Sequence, residues 1–91
     1  MYLEIVSPEA RLFSGEVDSV TVPGTSGSFQ LLNNHAPIVS TLTEGVVTLQ
    51  GNIVLENAIK SQFTQEGNKT YFTIKSGAIE MQDNKVILLT D

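Results

Sequence analysis

His35 is the chain's only imidazole and the side chain best suited to move a proton near neutral pH. It stands in the polar run Asn33-Asn34-His35-Ala36-Pro37. A nucleophilic triad would need a serine on a strained turn beside this base, yet no serine lies in a G-x-S-x-G sequence. A zinc site would have to be completed by carboxylates alone, because the chain has one histidine and no cysteine. Gly24-Thr25-Ser26-Gly27-Ser28 has the small residues of a phosphate cradle, but no lysine follows and the chain runs on into apolar residues of strand character. It reads as a tight polar turn. Asp83-Asn84 would need several further oxygens to hold a hard cation, and both residues tolerate the positive φ of a hairpin turn. Asn68-Lys69-Thr70 matches a glycosylation acceptor, without a secretory signal to give the match a mechanism. No catalytic, cofactor-binding or metal residues are expected, and the chain is read as a non-enzyme.

The elements around these residues have the period of strands. Tyr2 to Val6 is closed by Ser7-Pro8, Arg11-Leu12-Phe13 resumes, and Ser14-Gly15 is read as a turn. Glu16 to Val22 is read as one strand with a bulge between Asp18 and Ser19, where the spacing of Val17, Val20 and Val22 loses its alternation. Ile38 to Leu42 and Val46 to Leu49 flank a Glu44-Gly45 turn, and Thr70 to Ile74 alternates up to Ser76-Gly77. Ala78 to Gln82 and Lys85 to Leu89 flank Asp83-Asn84 as a type I′ hairpin. Val86-Ile87-Leu88-Leu89 does not alternate, which predicts a strand covered on both faces or partly covered by another protein. Asn52 to Asn68 reads two ways: Leu55, Ile59 and Phe63 have helical spacing, with Glu56 and Lys60 one turn apart, while Ile53-Val54-Leu55 would extend the preceding hairpin.

The expected fold is all-β, a single sandwich of two mainly antiparallel sheets built from about ten short strands over residues 1–91. Ninety-one residues support one core, and 41% hydrophobic with 16% charged residues fits a folded chain better than a disordered one. Ten acidic against five basic residues give a net charge of −5, which disfavours nucleic acid as a partner. No stretch has the apolar length of a membrane span, and Met1 to Val6 does not read as a signal peptide. Two roles fit His35: a ring packed beside Pro37 and bonded to a loop carbonyl, or a polar tip at a protein interface. Phe29, Leu31 and Leu32 are read as core residues, or as contact residues where one faces out.

Val20 to Val46 closely resembles the signature of the ATP synthase epsilon subunit N-terminal domain, with Gly27, His35, Ala36, Pro37, Leu42 and Gly45 at the signature's places. Ile5-Val6-Ser7, Phe13-Ser14-Gly15 and Tyr71 to Thr90 resemble the family's opening strand, its phenylalanine-serine-glycine turn and its closing hairpin, so the likeness covers nearly the whole chain. It implies a non-catalytic central-stalk subunit that links the gamma subunit to the polar loops of the c-ring in proton- or sodium-driven ATP synthesis. Its expected location is peripheral, on the cytoplasmic face of a bacterial inner membrane, with the cytoplasm when unassembled or a chloroplast thylakoid as alternatives. His35, Ala36 and Pro37 are then expected at the gamma interface, and Ser26, Gly27, Ser28, Phe29, Gln30 and Leu31 in a loop facing the c-ring. Gln30 stands where many members carry a second glycine, and Gln50 to Asn68 is longer than the family usually needs. The sequence ends at Asp91, where members usually continue into a helical hairpin associated with inhibition of ATP hydrolysis, so that activity is not expected of these residues, whether the natural subunit is short or this is its first domain cut at the boundary. Two other classes would leave different marks. A free-standing ligand-binding sandwich would need an exposed aromatic platform, and a small β-fold enzyme would need several titratable groups converging in one pocket.

Overall fold

The computed structural model describes residues 1–91. Ten strands form: β1 (Tyr2–Val6), β2 (Arg11–Glu16), β3 (Ser19–Gly24), β4 (Gly27–Leu32), β5 (Ile38–Leu42), β6 (Gly45–Gln50), β7 (Thr64–Glu66), β8 (Lys69–Ile74), β9 (Gly77–Gln82) and β10 (Lys85–Thr90). A 3-10 turn, Lys60–Gln62, is the one helical piece. The strands hydrogen-bond in the order β2-β1-β10-β9-β5-β3-β6-β8-β7, with β4 on β3. Only β1 and β10 pair in parallel, with Leu3 opposite Val86 and Ile5 opposite Leu88.

This single curled sheet makes the two layers of a sandwich, and the bend between them lies at β3. One edge of β3 is given to β4 along its whole length. The other edge is divided: Ser19, Val20 and Thr21 pair with β6, while Gly24 pairs with Leu42 of β5. Strands β2, β1, β10, β9 and β5 therefore form one layer, and β4, β3, β6, β8 and β7 the other. Gly24 sits at the corner, where an added Cβ would lie 2.7 Å from the Phe29 ring and from the Gly27 carbonyl oxygen, so any larger side chain would displace the turn.

The core is what alternating strands bury between two layers. Leu3, Ile5, Val20, Val22, Leu31, Val47, Leu49, Val86 and Leu88 are wholly excluded from solvent. Phe63 stacks on Phe72 at 4.9 Å between ring centres, closing the side near the long connection. No buried side-chain nitrogen or oxygen lacks a hydrogen-bond partner, which is the condition for a sandwich of this size to hold its packing.

Several expectations need correction. Ser14-Gly15 is not a turn but lies within β2, paired to Glu4 and Leu3. There is no bulge between Asp18 and Ser19 inside one strand. The chain leaves the first layer at Glu16 and enters the second at Ser19, so the broken alternation marks a change of sheet. The bulge in the structure is between Ile5 and Val6 instead. Strands β5 and β6 do not pair as a hairpin, because β3 lies between them.

Apart from the 3-10 turn Lys60–Gln62, residues 52–63 form neither the expected helix nor a strand extending β6. Ile53, Leu55 and Phe63 bury their side chains, Ile59 packs partly against them, and no Glu56–Lys60 ion pair forms. The segment is a strap whose apolar residues cap the core, tied down where Gln65 Nε2 donates to the Ile53 carbonyl at 2.9 Å. The Asp83-Asn84 hairpin is as expected, with φ of 52° and 60° at its two turn residues.

Candidate interaction surface

The β3–β4 hairpin carries both sets of residues that the sequence points to, and it holds them apart. At one end is the two-residue turn Thr25-Ser26, closed by the Gly24–Gly27 pair and by a φ of 127° at Gly27. This turn is anchored on β5: the Thr25 N–H donates to the Thr41 carbonyl at 3.2 Å, and the two threonine hydroxyls meet at 3.0 Å. At the other end, β4 runs out at Leu32 and the chain turns through Asn33-Asn34-His35. The six residues of β4 span about 20 Å at strand rise, so the two groups cannot share one small contact.

The histidine turn is built by amides. Asn34 has a φ of 61°, and the His35 N–H donates back to the Leu32 carbonyl at 3.1 Å. The Asn34 N–H donates to Asn84 Oδ1 at 2.7 Å, and Asn84 Nδ2 donates to Asn33 Oδ1 at 2.9 Å. The β9–β10 hairpin tip thus clamps the turn. His35 Nδ1 donates to the Ala36 carbonyl oxygen at 2.7 Å, and Nε2 makes no hydrogen bond within the chain. His35, Ala36 and Pro37 are all exposed. No carboxylate or hydroxyl of this chain bonds to the ring.

The second set is not a loop. Gly27 to Leu32 is strand β4, and only Ser26 belongs to the turn. Ser28 and Gln30 point outward, Phe29 is half-buried over Gly24, and Leu31 is wholly buried in the core. Leu31 cannot face a partner. Strict alternation along β4 explains this, since Phe29 and Leu31 share the inner face and Ser28, Gln30 and Leu32 the outer one.

An apolar surface lies on the outer face of the first layer, of which the sequence pointed only to the β10 part. Val39 is 76% exposed and Leu89 51%, with Ile87 and Ala78 half-buried beside them. Register aligns Val39, Glu80 and Ile87 in one row and Thr41, Ala78 and Leu89 in the next. A shallow groove of about 290 Å³ lies along these residues. Of the two readings of Val86-Ile87-Leu88-Leu89, cover on both faces is absent within this chain, since Leu89 is exposed and Ile87 half-buried, which leaves partial cover by another protein as the open reading.

Elsewhere, an open depression of about 660 Å³ is lined by Glu16, Asp18, Asn33, Asn52 and Asn84 among others, without His35. No three His, Cys, Asp or Glu side chains stand close enough to hold a metal ion.

Fold and surface together define a two-layer β-sandwich domain with a polar turn at each end of one hairpin and an apolar outer face. The profile of the family described as "ATP synthase, Delta/Epsilon chain, beta-sandwich domain" matches residues 1–91, and the chain belongs to that family. Its sequence is 39% identical over 89 residues to the ATP synthase epsilon chain of Leptospira borgpetersenii, covering 98% of this chain and 59% of that relative. It is 37% identical over 89 residues to the ATP synthase epsilon chain of Chlorobaculum tepidum, covering 98% of this chain and 86% of that one. This chain therefore spans well under two thirds of the Leptospira relatives and most of the Chlorobaculum one. Among solved structures, a chain of the Tetrahymena thermophila mitochondrial ATP synthase central stalk and c-ring matches with a TM-score of 0.74 at 12% identity, over 98% of this chain and 61% of that one. A chain of the Euglena gracilis mitochondrial ATP synthase matches with a TM-score of 0.72 at 20% identity, over 97% of this chain and 48% of that one. At these identities the structural matches establish the sandwich fold alone.

Proposed function

We propose that this chain is a non-catalytic rotor connector: the sandwich of a central-stalk subunit of an F-type ATP synthase, standing between the gamma subunit and the polar loops of the c-ring. Membership of the delta/epsilon family supports the assignment to the complex. The observation that carries the connector reading is the apolar outer face, where Val39 on β5 and Leu89 on β10 lie exposed, with Ile87 half-buried beside them, on either side of β9 in an otherwise well-packed sandwich. An apolar patch on a rigid sheet is the mark of a protein-docking surface.

In this reading the outer face and the adjoining His35-Ala36-Pro37 turn rest on gamma, while the Thr25-Ser26 turn with Ser28 and Gln30 meets the c-ring at the opposite end. The divided edge of β3 suits the task, since it welds the two layers so that torque on one turn is carried to the other by many strand hydrogen bonds at once. No helix is long and apolar enough to cross a membrane. In this reading the chain meets the membrane through the complex, on the cytoplasmic face of a bacterial cell. No cofactor or small-molecule substrate is required.

Size-exclusion chromatography of this chain with the gamma subunit of the same synthase tests the reading. Co-elution is expected. A chain with a native circular dichroism spectrum and no measurable affinity for gamma overturns it.

A further inference from the structure

Across the outer face of the first layer, one row runs Glu4, Ile87, Glu80 and Val39 on strands β1, β10, β9 and β5. Its two carboxylates are treated differently. Glu4 is largely covered, at 19% side-chain exposure, and neutralised twice: Arg11 Nε lies 3.3 Å from it and Lys85 Nζ 3.9 Å. The Lys85 ammonium also sits 5.8 Å from the Tyr2 ring centre, which draws it away from β9. Glu80 forms no ion pair, although Ile87 and Val39 flank it directly across neighbouring strands.

An exposed glutamate in water costs nothing. Once a partner covers Val39 and Ile87, however, Glu80 is covered with them, and an unpaired charge between two apolar side chains is expensive. We infer that the partner of this face is an apolar protein surface carrying one basic side chain, placed to pair with Glu80 at the centre of the contact. A second copy of this chain fits poorly, because a two-fold contact centred on this row would bring Glu80 against its own equivalent. An anionic lipid surface fits no better, since the chain's net charge is −5 and the face itself offers a free carboxylate. The inference rests on the docking reading above and adds to it the partner's chemistry and Glu80 as the residue that selects it.

Calorimetric titration of the whole chain against gamma, at low and moderate salt, separates the two claims. Glu80→Gln is expected to weaken binding about tenfold and flatten its salt dependence, and Glu80→Lys to weaken it further by like-charge contact. Val39→Asp is expected to abolish binding, and thermal melts check that each variant remains folded. If Val39→Asp abolishes binding while Glu80→Gln binds equally or more tightly, the Glu80 pairing is overturned and the docking face stands. If Val39→Asp binds as the parent does, the docking face itself is wrong. Sedimentation showing a dimer of the isolated chain that Val39→Asp dissolves would assign the face to self-association and overturn the inference.

Discussion

The backbone N–H of Asn34 donates to Oδ1 of Asn84 at 2.7 Å, so the tip of one hairpin caps a turn fifty residues earlier in the chain. The same Asn84 amide donates to Asn33 Oδ1, and Asn84 itself has a φ of 60°. One residue thus shapes the β9–β10 turn and also holds the chain that presents His35. Replacing it by glycine keeps the backbone conformation and removes only the cap. Asn84→Gly should therefore cost about 1 kcal/mol in urea unfolding and speed amide exchange at Asn34. Asn84→Ala should cost about 1–2 kcal/mol more, because alanine is strained at positive φ.

Leu31 tests the strand reading of β4 against the loop that the sequence suggested. A wholly buried leucine cut to alanine leaves a cavity, so Leu31→Ala should lose about 2–5 kcal/mol of stability. Its neighbour Leu32 is 54% exposed, and Leu32→Ala should change stability by no more than about 0.5 kcal/mol. Equal effects of the two substitutions in chemical denaturation would contradict the alternation of β4.

The contrast between Leu31 and Leu32 shows what the sequence could and could not reveal. Period-two patterning located nearly every strand, and Asp83-Asn84 announced its turn because few residue pairs accept two positive φ angles. Pairing partners were less legible. That β3 would come between β5 and β6, or that β1 would lie parallel to β10, depends on contacts between distant residues that no local pattern encodes. The step from Asp18 to Ser19 misled for the same reason: a lost alternation reads alike whether the strand bulges or changes sheet. In residues 52–63 the apolar positions were visible but not their geometry, because a strap that caps a core needs buried residues without any fixed period. As for the candidate site, the family signature located the His35 turn, while the row of Val39, Glu80 and Ile87 appears only once three strands are set in register.

Asp91 supplies a pH-dependent link between the end of β10 and the β8–β9 connection. The Lys75 N–H donates to its Oδ1 at 3.1 Å, joined by the Ser76 N–H at 3.3 Å and the Thr90 hydroxyl at 3.0 Å. These bonds, the one from Lys75 foremost, hold the carboxyl below its ordinary value. Because the folded value is depressed, the stabilisation is complete above the unfolded value, about 3.9, and is lost as pH falls through the lower folded one. Asp91→Asn should thus melt slightly below the parent at neutral pH, and the gap should close as both are acidified through that window. A gap that widens toward low pH would reverse the sign and contradict the hydrogen-bond assignment.

Because β4 separates the two turns by about 20 Å, changes at each should produce distinct defects. His35→Ala removes a ring whose only bond is to the neighbouring Ala36 carbonyl, so the fold should be unaffected while affinity for gamma falls by about 3–10-fold, as for a contact at the rim of an interface. A bulky change in the other turn, Ser26→Tyr, meets no neighbour within this chain's core because the residue is exposed. It should leave gamma binding intact and reduce the fraction of assembled complex retained on membranes at low detergent. The two readouts also rank the surfaces. If His35→Ala instead lowers membrane retention and Ser26→Tyr lowers gamma affinity, the two ends are assigned the wrong way round, while the connector role, which needs only that they differ, survives.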